Sequence, residues 1–207
     1  MLVSGSGTNL QAILDRVHGH EGIEVVGVVS SKPGARALER AAAAGVESAV
    51  FDAGAYPDRK ARDDDMARWL RDRGVELVVL AGYMELLTPG FLRSFRNRVV
   101  NVHPSLLPAF PGARPVEDQI AYGVKVGGVT VHFVDEGVDS GPIILQEPVA
   151  LPYTRSKEEV LELLHPIEHD LLPRAIRLIA ADAVRIDPDN PRIVHVADSA
   201  PVIEEDR

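Results

Sequence analysis

The constraint that weighs most on this chain is an alternation of short apolar runs with segments of helical periodicity. Leu77-Val-Val-Leu-Ala81 is apolar throughout, as a strand covered on both faces must be, and Ile23–Val29 reads as another strand. Leu10, Ile13, Leu14 and Val17 recur at helical spacing, with Thr8 placed to cap them. Further helices are expected at Ala35–Ala44 and Asp58–Arg73, with a short strand at Glu47–Val50 between them. Strands and helices alternating at this spacing predict an α/β fold, a mostly parallel twisted sheet with helices on both faces. Val129–Val134 and Ile143–Ala150 read as later strands, the second running back antiparallel, and Thr130 and His132 share one face of the first. Ser156 caps a long helix with Val160, Leu164, Ile167, Leu171 and Leu178 as its buried stripe. Two short strands, Val184–Ile186 and Arg192–Val196, flank the turn Asp187-Pro-Asp-Asn-Pro191, and the acidic residues 198–207 are expected to fray. No linker, repeat or break interrupts the chain, so residues 1–207 are expected to form a single domain with an antiparallel C-terminal edge.

In open parallel sheets ligands bind beyond the carboxyl ends of the strands. That rule puts Gly5–Asn9, Gly82–Leu87 and Asn101–His103 on one rim. The first segment, Ser4-Gly-Ser-Gly-Thr-Asn-Leu10, joins a strand to a helix through a glycine turn. It is either an ordinary tight turn or an anion cup lined by backbone amides and the positive end of a helix dipole. A dinucleotide is disfavoured, because Gly5-x-Gly7-x-x-Leu10 lacks the third glycine and the second strand ends in Ser30-Ser31 rather than an acid. A phosphate monoester suits the cup better. Gly82-Tyr-Met-Glu-Leu-Leu87 carries apolar side chains on the rim, either packed under the next helix or lining a slot for a flat apolar ligand. Val99–Val102 is a short buried strand that aims Asn101 and His103 to the same side before Pro104 ends the ladder. Residues 105–118, rich in proline and glycine, look like a long flexible flap over the rim.

Composition removes several function classes. A net charge of −9 argues against a non-specific nucleic-acid binder, since neutralising phosphates needs a basic surface. With no cysteine there is no disulfide, thiol nucleophile or thiolate metal site. Glu76 and Glu85 interrupt the apolar runs too early for a membrane span, and no signal peptide is visible, so the expected compartment is the cytoplasm. His165-Pro-Ile-Glu-His169 matches a His-x-x-Glu-His zinc pattern, but Pro166 is expected to distort the turn that would align the histidines, and no third ligand is indicated. No metal is expected.

An amide, an imidazole and a carboxylate converging on one slot suit acyl transfer. The tetrahedral transition state develops an oxyanion to which Asn101 and a protonated His103 can donate. Asp139, in the acidic turn Asp135-Glu-Gly-Val-Asp-Ser-Gly-Pro142, could move the proton from the attacking amine and keep His103 charged.

Ser4-Gly-Ser-Gly-Thr-Asn-Leu-Gln11, Ala81-Gly-Tyr-Met, Asn101-Val-His-Pro-Ser-Leu-Leu-Pro108 and Asp139-Ser-Gly-Pro142 resemble, in order and spacing, the motifs of the phosphoribosylglycinamide formyltransferase family. The resemblance covers almost the whole chain. It implies the Rossmann-like formyltransferase fold and transfer of a formyl group from 10-formyltetrahydrofolate, as co-substrate, to the amine of glycinamide ribonucleotide. The partners would be these two small molecules, with no nucleic acid and no membrane, in a monomer or homodimer. By the same match Asn101, His103 and Asp139 are catalytic. Gly5, Ser6, Gly7, Thr8, Asn9, Pro104 and Glu168 would bind the ribonucleotide, Glu168 at its ribose. Arg59, Met84, Glu85, Leu86, Leu87, Val134, Asp135 and Asp139 would bind the folate, which makes the apolar rim loop a pterin slot.

Three departures from the family pattern stand out. The first strand has only about three residues, where the family shows several more apolar ones, so the chain is expected to begin late. Arg114 stands where histidine is common, and Glu85 where a basic residue is usual. Among related chemistries, a formyltetrahydrofolate hydrolase would carry an extra N-terminal regulatory domain and lack this cup. A methionyl-tRNA formyltransferase would need a basic C-terminal domain, and this chain ends Glu-Glu-Asp-Arg. A non-catalytic folate- or nucleotide-binding module would have no use for the Asn101, His103 and Asp139 set.

Overall fold

The computed structural model describes residues 1–197, so the expected frayed tail lies outside the described residues. Nine strands and six α-helices follow in the order β1 (Leu2–Val3), α1 (Thr8–Arg16), β2 (Val28–Ser30), α2 (Arg36–Ala43), β3 (Ser48–Val50), α3 (Arg59–Asp72), β4 (Val78–Leu80), α4 (Pro89–Ser94), β5 (Val99–His103), α5 (Pro115–Tyr122), β6 (Val126–Phe133), β7 (Ile143–Ala150), α6 (Lys157–Ala180), β8 (Val184–Ile186) and β9 (Val194–Val196). The first seven strands form one sheet in the order β3-β2-β1-β4-β5-β6-β7. The five through β5 are parallel, and β6 and β7 are added antiparallel. β8 and β9 make a separate antiparallel hairpin.

The two faces of the sheet hold two apolar cores. Leu10, Ile13 and Val17 of α1 and Leu164, Leu171 and Leu172 of α6 pack with Val3, Val79, Val100 and Val129 on one face. Met66 and Leu70 of α3 and Phe91 and Phe95 of α4 pack with Leu2, Val29 and Leu80 on the other. β1 is only two residues long, yet Leu2 pairs with both Val29 and Leu80. Chain order reverses at β1, which leads outward to β2 and β3 before the chain returns to β4 on its other side. That is the topological switch point at which such sheets open a crevice. The loops after β1, β4 and β5 all leave from this edge.

Several expectations need correction. The strand expected over Ile23–Val29 starts only at Val28. Ile23 instead forms an isolated bridge with His20, and the Val25 amide donates to Nδ1 of His18, so local bonds outcompete the ladder. The strand expected at Arg192–Val196 is shortened to Val194–Val196, because the Arg192 amide donates to the Asn190 side chain and stays in the turn. Thr8 does not cap α1: the residue before the helix is Gly7, at φ 71, with no side-chain cap. The segment 105–118 is not a loose flap. Residues 115–118 are the first turn of α5. At its base Ser105 is buried, Thr130 Oγ1 donates to the Ser105 carbonyl (2.6 Å) and accepts from the Leu107 amide (3.1 Å), and Gln146 donates to the Leu107 carbonyl (2.8 Å). Ser156 does cap α6, accepting from the Glu159 amide.

α6 contains Pro166 and Pro173. A proline inside a helix leaves the carbonyl four residues earlier without its usual donor. For Pro173 that carbonyl belongs to His169, and Arg16 at the end of α1 donates Nη1 to it at 3.0 Å. Arg177 returns the favour, donating to the Arg16 carbonyl at 2.5 Å. The two helices thus complete one another's hydrogen bonding.

Candidate active site

A cleft of about 660 Å³ opens at the switch point, lined by residues 4–9, 81–86, 101–104, 112, 113, 115, 138 and 139 with His165 and Glu168 from α6. A second cavity of about 300 Å³ lies alongside, lined by Arg59, Leu80, Tyr83, Leu86, Leu87, Val134, Asp135 and their neighbours. Asn101 and Asp139 line both, and so stand on the wall between them.

The first cavity ends in the turn after β1. Gly7 must be glycine here: its φ is 71, and an added Cβ would sit 2.7 Å from Ala37 Cβ. The Gly5 carbonyl accepts from the Ala37 amide (3.2 Å) and the Ser6 carbonyl from Arg40 Nε (2.9 Å), which turns the carbonyls away. The opening amides of α1 are left to meet an anion. Deeper in, Glu168 is buried and accepts from Asn9 Nδ2 at 2.8 Å. Burial pushes its carboxyl up to about 7 in spite of that bond. His165 faces the same cavity, and burial lowers its basicity.

At the shared wall, β5 and β6 set the register. Asn101 pairs with His132 and His103 with Thr130. Nδ1 of His132 lies 2.8 Å from the Phe133 carbonyl, which can only accept, so Nδ1 carries the proton. Burial depresses the basicity of His132, and its Nε2 is left as an acceptor for Asn101 Nδ2 at 3.2 Å. That bond fixes which end of the Asn101 amide is the donor. Asn101 Nδ2 also reaches Asp139 Oδ1 at 3.4 Å, and His103 Nδ1 lies 3.4 Å from Asp139 Oδ2. His103 Nε2 lies 2.9 Å from the Phe110 carbonyl, which can only accept, so Nε2 donates there and both ring nitrogens face acceptors. The Gly112 amide donates to Asp139 Oδ2 at 2.7 Å. The segment after β5 therefore bonds both members of the His103–Asp139 pair through its backbone. Asp139 itself has φ 49, a conformation aspartate tolerates better than most residues. An added Cβ at Gly141 would lie 1.8 Å from the Phe133 carbonyl, so the turn can double back against β6 only with glycine there.

The second cavity is walled by the loop after β4 and by residues 134–139. The loop divides its side chains: Tyr83 and Leu87 pack against the core that holds Phe91 and Phe95, while Met84 is 61% and Leu86 57% exposed. Glu85 and Leu86 border both cavities, Leu87 and Arg59 only the second, and Met84 only the first. Tyr83 contributes a phenol that burial pushes up to about 12.

The structure thus brings Asn101, His103 and Asp139 together, sets Gly5–Asn9, Pro104 and Glu168 in one cavity, and sets Arg59, Val134 and Asp135 in the other. Arg114 is exposed at the start of α5 and lines neither cavity. Sequence reasoning left out His132, although its alternation with Thr130 was visible, because cross-strand register is needed to set it against Asn101. The backbone contacts of Phe110 and Gly112 carry no sequence signal. Pro166 does not distort the turn as expected: α6 runs through it, and the His165 and His169 rings stack at 6.0 Å with 10° between planes. Among the described residues no group of three or more histidines and carboxylates could hold a metal ion, and no helix is long and apolar enough to cross a membrane.

Comparison with known proteins agrees with this geometry. The family described as "Formyl transferase" matches residues 1–176. The chain is 38% identical over 178 residues to phosphoribosylglycinamide formyltransferase of Bacillus subtilis (strain 168), covering 86% of this chain and 91% of that one. It is 42% identical over 188 residues to the trifunctional purine biosynthetic protein adenosine-3 of Drosophila pseudoobscura pseudoobscura, covering 89% of this chain but only 14% of that much longer protein. The crystal structure of glycinamide ribonucleotide transformylase 1 from Symbiobacterium toebii superposes with a TM-score of 0.91 at 46% identity, over 95% of this chain and 92% of that one.

Proposed function

The chain belongs to the formyl transferase family, and we propose that it acts as a phosphoribosylglycinamide formyltransferase, moving the formyl group of 10-formyltetrahydrofolate to the amine of glycinamide ribonucleotide. The observation that carries this reading is the position of Asn101 and Asp139 on the wall between a cavity that ends in the glycine turn at the start of α1 and a second one between the loop after β4 and residues 134–139. Two substrates held on either side of that wall meet at the groups that can catalyse their reaction.

In this reading the amides of Gly5–Asn9 take the phosphate, Glu168 and Pro104 border the ribose, and the amine points toward Asn101. The pterin enters the slot between Glu85–Leu87 and Val134–Asp135, beside Met84, with Arg59 at the outer mouth. The amine attacks the formyl carbon, forming the new C–N bond and a tetrahedral oxyanion. Asn101 Nδ2 and His103 Nδ1 are its donors. Their present contacts to Asp139 are both long, at 3.4 Å, so both are readily given up to an incoming oxygen. Asp139 takes the proton from the attacking nitrogen and returns it to N10 of the folate as the C–N10 bond breaks. No step needs a covalent enzyme intermediate or a metal. All the residues used come from one chain acting as one domain, so a monomer and a homodimer each hold complete sites, and the expected location is the cytoplasm.

The test is a folate absorbance assay with and without glycinamide ribonucleotide. Deformylation that requires the ribonucleotide, with formylated product recovered, is the expected result. Deformylation without it identifies a hydrolase. Saturable folate binding with no turnover identifies a binding module.

A further inference from the structure

Helix α3 buries a charged pair that the chemistry above leaves unused. Arg62 is 1% exposed and Asp63 fully buried, among Met66, Ala67 and Leu70. Arg62 donates Nε (3.0 Å) and Nη2 (2.8 Å) to Asp63 Oδ1. The same guanidinium donates Nη1 to Glu85 Oε2 at 3.1 Å and Nη2 to the Leu86 carbonyl at 3.4 Å. The other oxygen of Asp63, Oδ2, accepts from the Thr88 amide at 2.7 Å.

These bonds matter because of what the loop after β4 lacks. Among the described residues, 82–87 make no backbone–backbone hydrogen bond outside the regular elements. Side chains hold the backbone instead: Ser4 Oγ accepts from the Met84 amide (3.0 Å), and Arg62 and Asp63 take Leu86 and Thr88. Tyr83 and Leu87 pack against the core, but Met84 and Leu86 are more than half exposed at the cavities, so side-chain packing alone does not fix the stretch that carries them. A buried ion pair is a weak source of stability, because desolvating two charges offsets their attraction. It does confer fixed geometry, and a planar guanidinium with several donors in one fork is suited to that.

We propose that Arg62 and Asp63 are positioning residues for the folate side of the cleft, holding Glu85, Leu86 and Thr88 and thereby setting the slot between that loop and residues 134–139. This rests on the formyltransferase reading and extends it to residues that touch no substrate. It also gives a reason for the acid at position 85, where the family pattern has a base: here the base sits beneath the loop, on α3, and the loop supplies its counter-charge.

The experiment compares the intact wild-type chain with Arg62→Lys and Glu85→Gln. It measures kcat, KM for each substrate, thermal unfolding, and tetrahydrofolate binding by calorimetry. Lysine keeps the charge beside Asp63 but loses the fork. Arg62→Lys is expected to raise KM for 10-formyltetrahydrofolate and Kd for tetrahydrofolate by roughly tenfold, with KM for the ribonucleotide within about twofold. Glu85→Gln, which leaves the buried pair intact, is expected to shift the same two constants by roughly threefold. A parallel rise in both KM values overturns the proposal in favour of a merely structural pair. So does a folate KM that stays put in a folded Arg62→Lys chain. If Arg62→Lys does not fold, Glu85→Gln decides alone, and an unchanged folate KM there overturns the proposal. A wild-type chain that binds tetrahydrofolate but transfers nothing defeats the formyltransferase reading instead, and the calorimetric comparison still judges the loop.

Discussion

The two sides of the cleft are built by opposite means. On one side, the five-residue turn after β1 owes its shape to Gly7 and to α2, whose Ala37 amide and Arg40 side chain hold the Gly5 and Ser6 carbonyls. On the other side, a loop of similar length has no ladder, and side chains from β1's end and α3 hold it in place. The first solution hinges on the backbone conformation of one glycine, and a change there is felt at once through backbone geometry. The second is distributed, and its determinants look in the sequence like an ordinary charged helix.

The sharpest blow to both sides at once falls on the wall between them. Asp139→Asn keeps a residue that tolerates φ 49 but removes the proton carrier, and kcat is expected to fall on the order of 10²–10⁴-fold with the melting curve nearly unchanged. Turnover close to wild type would remove Asp139 from the mechanism.

On the ribonucleotide side, Glu168 is lifted from the usual 4.5 to about 7, mainly by burial. A folded-state value above the unfolded one means that the native state holds an extra proton between those pH values, so wild-type stability declines as pH rises from 4.5 to about 7. Glu168→Gln has no such decline. Its stability gain over wild type is expected to grow across that window to about 3 kcal/mol and then level off, as read by denaturant melts at pH 5 and pH 8. A gap that does not change with pH would show that the carboxyl is not perturbed.

Gly7→Ala forces a Cβ to within 2.7 Å of Ala37 at a positive φ. It is expected to cost about 1–3 kcal/mol and to raise KM for the ribonucleotide while sparing KM for the folate. Leu86→Ala is the counterpart across the cleft: no measurable loss of stability, since the side chain is exposed, and a folate KM raised by roughly threefold. If each variant moved both KM values equally, the division of labour between the two sides would be wrong. Arg114→His should do least, with both KM values within about twofold, because Arg114 lines neither cavity.

The same contrast explains what could be read from the chain alone. The apolar runs at Leu77–Ala81 and Val99–Val102, the glycine turn after β1 and the Ser156 cap declare themselves in a few adjacent residues, and much of the fold follows from them. Asn101 and His103 could be aimed to one side because strand periodicity is local. His132 could not be set against Asn101, because register between β5 and β6 depends on the whole sheet. Nor could Arg62 be distinguished from its exposed neighbours Arg59 and Lys60, because which charged residue of α3 turns inward is decided by α4 and the loop after β4. The strand expected at Ile23 failed for a related reason: apolar character identifies burial, but the bonds of His18 and His20 decided the backbone.

The exchange of hydrogen bonds between α1 and α6 bears on the order in which the molecule can be made. Arg16 finds the His169 carbonyl 153 positions further along the chain, and Asn9 finds Glu168 at a separation of 159. A ribosome therefore delivers the turn after β1 and α1 long before α6, the partner that completes their hydrogen bonding. Contacts closed over such separations are slow to form and leave apolar surface uncovered in the interval. The turn after β1 is thus made long before α6 and finished only with it, and one end of the cleft waits longest for its support.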